Sequence, residues 1–433
     1  MTSRLSDLWV SLRGSFHRWL RLAGWPGILS ALMSLATLAG FSLLYRGLPL
    51  PDAGTLALVI SLSDIVGLLA LVGLGTVVTR LYASSGAGVY NWPLDLGGTA
   101  AYAVPLIVVT TWGLCRLYSF PAWIGLYLFG LTALGALLSA AYAMLNSQGH
   151  YAWSAFLIRA PNTALLLPGL ATLWVPVGPR LDFSLAVALG ATLLCLLAGV
   201  AILVRTLPRG PRRISARQRA EGLAFMVTNA TDMLSDQGLI AVAGKVLVMS
   251  QVAAFAAVAI LLRPFRLVRG ILSMILAPDL LRFRRTSYVR LMAGVWGAAA
   301  VCGVATAILI PPLATRFYGG RYPEAMSWIP YLALAGVLLI GCMPARTDLS
   351  VRAPIGTMNR FAVVYLASML IVLGLGVTGM ATTGAIFLAL TVVLLEVTEV
   401  GVSYGFWFRF RRGERSLFGG QEPAPSSGPV AQP

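Results

Sequence analysis

The chain has 433 residues, 58% of them hydrophobic and only 11% charged, and a formal net charge of +17. Soluble domains carry about 25% charged residues, and no polar stretch here approaches the roughly 100 residues of an ordinary domain, so a water-soluble enzyme or signalling module is excluded. The positive charge sits in clusters between apolar runs, which leaves no soluble basic face to offer a nucleic acid.

Ahead of the first apolar run, Leu5, Trp9, Leu12, Phe16 and Trp19 recur at helical spacing among Arg13, Arg18 and Arg21. Over 1–22 this predicts an amphipathic segment lying in the cytoplasmic interface. Apolar runs follow at 25–46, 54–79, 98–117, 122–146, 151–176 and 183–205. Beyond the basic stretch RTLPRGPRRISARQR (Arg205 to Arg219) they resume at 219–243, 249–278, 290–314, 325–345, 359–380 and 383–408. Each run can supply the ~20 residues that cross a bilayer. The expected fold is all-α: a polytopic membrane protein of about twelve transmembrane helices in two pseudo-symmetric six-helix bundles around a central cavity. The bundles occupy 23–205 and 219–408, joined by a basic cytoplasmic linker over 206–218. A Gly-, Pro- and Ser-rich cytoplasmic tail over 409–433 is expected to be disordered.

Arginine placement sets the expected orientation. Counting crossings from an inside N-terminus puts Arg4, Arg13, Arg18, Arg21, Arg80, the linker arginines, Arg282, Arg284, Arg285, Arg290, Arg346, Arg352, Arg360 and the group from Arg409 to Arg415 on one side. The other side holds only Arg46, Arg116, Arg180, Lys245, Arg316 and Arg321. Positive residues are retained in the cytoplasm, so both termini are expected there, in a bacterial inner membrane. The linker arginines also suit contact with anionic lipid headgroups.

The two halves share a local pattern. Ala53-Gly54-Thr55-Leu56-Ala57 opens the second run and Ala253-Ala254-Phe255-Ala256-Ala257 lies at the start of the eighth, each after a short turn on the outer side. A repeat of six-helix bundles places the substrate path between them.

Ionisable residues inside a span cost about 2.5–3.5 kcal/mol at mid-membrane and usually face a cavity. The eighth run carries Arg263, Arg266 and Arg269 in LLRPFRLVRG. Spacing of three confines them to an arc of about 120° on a rising ladder, read as a substrate-binding wall together with Arg159 of the fifth run; Arg269 and Arg266 also lie near enough to the end of the span to snorkel. Embedded acids are Asp64, Asp232, Asp236, Glu396 and Glu399. They are candidate proton or sodium sites for ion coupling, or else counter-ions of the buried arginines.

Other chemistries lack their residues. Lys245, the one lysine, sits in Gly-Lys-Val rather than in a phosphate-binding loop. His17 and His150 fall in or near cytoplasmic segments and do not support a catalytic triad or a metal site. Cys115, Cys195, Cys302 and Cys342 lie in or beside apolar runs without ligand spacing and read as small hydrophobes. No enzyme, cofactor or metal is expected.

The stretch DAGTLALVISLSDIVGLLALVGLGTVVTRLYA, with Leu71 to Arg80 closing it, resembles the opening of Wzx-type polysaccharide (O-antigen) flippases. The turn Ala141 to Trp153 is similar to that family's short inner turn, and Ala230 to Pro278 to its seventh and eighth helices. The resemblance implies the multidrug/oligosaccharidyl-lipid/polysaccharide (MOP) exporter fold, a central V-shaped cavity and alternating access. It also implies an undecaprenyl-diphosphate-linked repeat unit as substrate, a cationic cavity formed here by Arg263, Arg266, Arg269 and Arg159, and partnership with a polymerase and glycosyltransferases of the same pathway. The near absence of lysine departs from the family. A MATE-like multidrug or cation antiporter is the alternative from the same superfamily; a non-transporting component of an exopolysaccharide assembly complex is one from a different class.

Overall fold

The computed structural model describes Gly24, residues 27–71, 74, 77–78, 81, 89–174, 180–215, 227, 229–266, 268–269 and 285–417. The amphipathic segment expected over 1–22, Arg80 and the loop holding Arg282 and Arg284 lie outside them. The protein is an all-α, multi-pass membrane protein with its helices in two groups.

The first group contains α1 (Gly27–Gly47), α2 (Leu50–Ala70), α3 (Trp92–Tyr118), α4 (Ala122–Ser147), α5 (Tyr151–Ala164, continued as Leu166–Trp174) and α6 (Leu181–Thr206). The second contains α7, from 229 through Leu239–Val246, and α8, from Met249–Ala259 through a 3₁₀ turn Ile260–Leu262 to residue 269. It is completed by α9 (Arg285–Tyr318), α10 (Ile329–Gly341, continued as Met343–Arg352), α11 (Ile355–Thr383) and α12 (Ile386–Leu417). Ten helices among the described residues are long and apolar enough to span a membrane. The interrupted α7 and α8 take the remaining two places.

Burial and neighbours repeat from half to half. The third helix of each, α3 and α9, buries only 17% of its apolar stretch, whereas the fourth, α4 and α10, buries 50% and 67%. In both halves the fourth helix packs on the third and the sixth, and the fifth on the sixth. Peripheral helices turn large apolar side chains outward, among them Val109, Trp112, Leu126, Leu194, Val301 and Ile308. In lipid that exposure is what the solvent requires.

Two ends can be distinguished: a terminal end, where α1 begins and α12 finishes, and a distal end, where α1 meets α2 and α7 meets α8. The halves join at the distal end. There α2 lies along α8 in the main contact between them, which involves the two similar segments around Ala53 and Ala253. Gly54 makes the approach possible, since a Cβ on it would stand 2.1 Å from the Met249 carbonyl oxygen. One apolar core runs through both halves here, from Phe41, Leu44 and Leu56 to Val252, Phe255 and Ile329. At the terminal end the first half has its own core, including Val78, Trp92, Met144 and Leu203, with no residue from the second half among the described residues.

Two helix boundaries differ from expectation. Helix α12 runs on to Leu417 through the start of the tail expected at 409. Helix α10 continues to Arg352, so Arg346 and Arg352 are helical rather than part of a loop. The polar sequence MPARTDLSVR stays helical because Asp348 binds Arg352 one turn later at 3.2 Å, and Arg411 and Trp407 of α12 at 2.8 and 2.7 Å.

Candidate functional site between the two halves

Polar side chains gather at two places. The first faces the junction of the halves. Arg159 of α5 donates to the Ser34 hydroxyl of α1, and beside them the Thr37 and Thr163 hydroxyls are 3.1 Å apart. Arg263 reaches across from α8 and sets its guanidinium 4.6 Å from the centre of the Phe41 ring, a cation–π contact that leaves its N–H edge available. Asp64, Arg159 and Arg266 lie within electrostatic range of Arg263, and Tyr142 within that of Arg159. Among the described residues, neither Arg159 nor Arg263 has a carboxylate within 4.0 Å. Nearby, the Ser61 hydroxyl of α2 donates to the side-chain Oε1 of Gln237 on α7 at 2.8 Å.

The second place lies within the second half, farther along α8. Arg346 of α10 grips both oxygens of Asp232 at 2.6 Å each and also binds Glu399. Arg269 binds the same Glu399 at 2.7 Å and stands 4.0 Å from Asp232. The Tyr365 hydroxyl of α11 donates to Asp232 at 3.4 Å, and its ring lies under the Arg346 guanidinium at 5.4 Å. Two guanidiniums and two carboxylates therefore close on each other and, with Tyr365, tie five helices together. Forked, charge-assisted bonds of this kind are the strong ones.

The three arginines of α8 do not share one wall. Arg263 turns to the first half, whereas Arg269 turns inward to Glu399. A step of three residues falls about 60° short of a full turn, so six residues swing the side chain through about 120°. Helix irregularity adds to this: Pro264 has no N–H to return to Ile260, and the backbone there tightens into the 3₁₀ turn. Of the remaining candidates, Glu396 is buried one turn before Glu399. Asp236 falls in a π turn, Leu234–Gly238, and its side chain lies outside the described residues.

Arg346 and Tyr365 were not among the sequence candidates. Arg346 follows an apolar run and looks like a flanking positive residue. A clue was Pro344, placed to begin a new helical turn. Among the described residues no group of histidine, cysteine, aspartate and glutamate is gathered to hold a metal ion, and the four cysteines are free.

No family model and no curated protein matches this sequence. Solved structures do. Over 92% of its length the chain resembles an inward-facing multidrug resistance MATE family transporter of the MOP superfamily, covering 100% of that chain at 12% identity and a TM-score of 0.61. The chain shares its fold with that transporter. Over 89% of its length it also resembles the lipid II flippase MurJ in an inward closed conformation, covering 87% of that chain at 14% identity and a TM-score of 0.59. A third MOP superfamily transporter, from Pyrococcus furiosus, matches over 92% of this chain and 98% of its own at 11% identity and a TM-score of 0.56. In this fold, the site at Arg159 and Arg263 lies between the two halves and the network around Arg346 within one of them.

Proposed function

We propose that this protein is a flippase that moves a lipid-linked oligosaccharide, carried on undecaprenyl diphosphate, across the inner membrane by alternating access. The observation that carries this reading is the pair Arg159 and Arg263. They come from opposite halves, lie within electrostatic range of each other, and have no carboxylate at contact distance among the described residues. Two cations near mid-membrane favour an anionic guest. Guanidinium groups bind phosphate oxygens in forked pairs, while the polyprenyl tail stays in lipid. Threonine and serine hydroxyls beside Arg159, with Tyr142, supply hydrogen bonds for a sugar.

The fold shared with MurJ, named a lipid II flippase, supports a lipid-linked cargo, and the fold shared with MATE transporters supports alternating access. A MATE-like antiporter for cationic drugs would need uncompensated acids where this chain has arginines. Asp64 is one acid against two or three arginines. On the proposed orientation, with both termini in the cytoplasm, the joined distal end is the outer one, an arrangement that suits loading of cargo from the inner leaflet.

The test is complementation of a strain lacking the gene with Arg263→Ala and Arg263→Lys at equal protein level. We expect loss of surface polysaccharide and accumulation of lipid-linked repeat units in Arg263→Ala, with partial rescue by lysine. Full activity of Arg263→Ala would remove this residue from binding. Unchanged surface polysaccharide on deletion of the gene would overturn the polysaccharide substrate.

A further inference from the structure

We propose that Arg346 and Arg269 form a second anion-binding site for the travelling headgroup, in which Asp232 is a resident counter-ion that the cargo displaces. The proposal rests on the reading of the cargo as anionic and extends it from one site to two.

The two acids of the network are not equivalent. Glu399 is 1% exposed and held by both arginines, at 2.7 Å to Arg269 and in direct contact with Arg346. Asp232 is 36% exposed; among the described residues Arg346 is the one cation in close contact with it, with the Tyr365 hydroxyl at 3.4 Å and Arg269 4.0 Å away. Glu399 is therefore the fixed member and Asp232 the exchangeable one. Both oxygens of Asp232 meet Arg346 at 2.6 Å. Both contacts are made by the Nη2 of Arg346, while Nη1 is engaged by Glu399, so the carboxylate edge occupies the place that a phosphate's charged oxygens would take on that nitrogen. With Asp232 withdrawn, Arg269 and Arg346 face Glu399 alone, and one positive charge is left for a ligand.

Position and backbone support the exchange. The site follows Arg263 and Arg266 along α8, about 9 Å beyond Arg263 at 1.5 Å per residue. An anion leaving the first site would thus meet a continuous series of guanidiniums. The π turn Leu234–Gly238 begins two residues after Asp232. Such a turn holds one residue more than an α-turn, and its relaxation to α would rotate the preceding residues by about 100°. That rotation would carry Asp232 away from Arg346. The same turn touches the first half through Gln237 and Ser61, so movement between the halves reaches Asp232 directly. Arg346 would remain in place, held by Glu399 and by the Tyr365 ring.

The experiment measures binding of inorganic pyrophosphate to the purified full-length protein in detergent by titration calorimetry. Asp232→Asn, which keeps the shape and removes the competing charge, should bind about tenfold more tightly than the wild type, the scale of one charge-assisted contact. Adding Arg346→Gln should abolish that gain. Adding Arg263→Gln to Asp232→Asn should leave an Arg346-dependent binding component. Should Asp232→Asn fail to fold, Asp232→Ser carries the same test. Unchanged or weaker affinity in the folded Asp232 variant would overturn the second site. If in addition Arg263→Gln weakens wild-type binding, the first site stands and only the second falls. A gain dependent on Arg346, with wild-type binding indifferent to Arg263, would keep the second site and remove the first.

Discussion

Arg346 holds Asp232 and Glu399 on two different helices, and its loss leaves two carboxylates facing one remaining guanidinium. Removing one partner from a buried ion network costs about 3–5 kcal/mol, far more than the network contributes over an apolar replacement. Arg346→Ala is therefore expected to lower the melting temperature of the purified protein sharply, whereas Arg263→Ala, which gives up a cation–π contact with Phe41 and the longer-range attraction of Asp64, should melt near the wild type. Comparing the two melts separates residues that hold the fold from residues available to cargo. Asp348 makes a parallel case at the terminal end. It is fully buried against Arg352, Arg411 and Trp407, and Asp348→Ala should destabilise without altering pyrophosphate binding.

At the scale of elements, the close approach of α2 and α8 rests on Gly54. A side chain there would collide with the Met249 carbonyl, which is backbone and cannot swing aside. Gly244 plays a similar part against the Leu58 side chain, where the neighbour is flexible. Gly54→Leu should therefore prevent the distal end from closing, and Gly244→Ala should be milder. A cysteine placed at Ser61 would report this: its labelling from the outer side should rise in Gly54→Leu and change little in Gly244→Ala. The interrupted α10 follows the same logic. Gly336 and Gly341 admit the Phe265 and Trp296 rings, each within 2.6 Å of where a Cβ would stand.

For the whole molecule, the distal junction is completed by cations of one half on helix ends of the other. Arg321 donates to the carbonyls of Tyr45, Arg46 and Leu48 at the end of α1, and Lys245 to Leu117 at 2.8 Å at the end of α3. Helix C-termini carry partial negative charge, and a cation there contributes about 0.3–1 kcal/mol. Removing both in Lys245→Ala/Arg321→Ala should shift the balance toward an open distal end by roughly 3- to 30-fold, read as distances between spin labels on α1 and α9. At the other end the described part of the linker is attached to the first half. Asn91 N–H donates to Arg212 at 2.7 Å, Arg212 N–H to Val89 at 3.1 Å, and Ile214 N–H to the buried Asp95 at 3.1 Å. Residues 207–215 thus travel with the first half. The proposed orientation is checked by a C-terminal green fluorescent protein fusion, which should fluoresce, and an alkaline phosphatase fusion, which should be inactive.

Residue order alone determined the solvent, the membrane spans and the division into two groups of helices, because hydropathy acts on each segment independently of its neighbours. It also marked Arg159, Arg263, Asp232 and Glu399, since a charge inside an apolar run is conspicuous without any structure. Only the tertiary structure decided which charges neutralise each other. Arg269 and Glu399 are 130 residues apart in the chain, and Arg263 and Arg269 part company through a 120° turn of one helix. Arg346 was hidden for the same reason: at the border of an apolar run a topological anchor and the centre of an ion network look alike. Pairing depends on the distances between helices, and those are set by packing glycines such as Gly54 and Gly341, which hydropathy does not register.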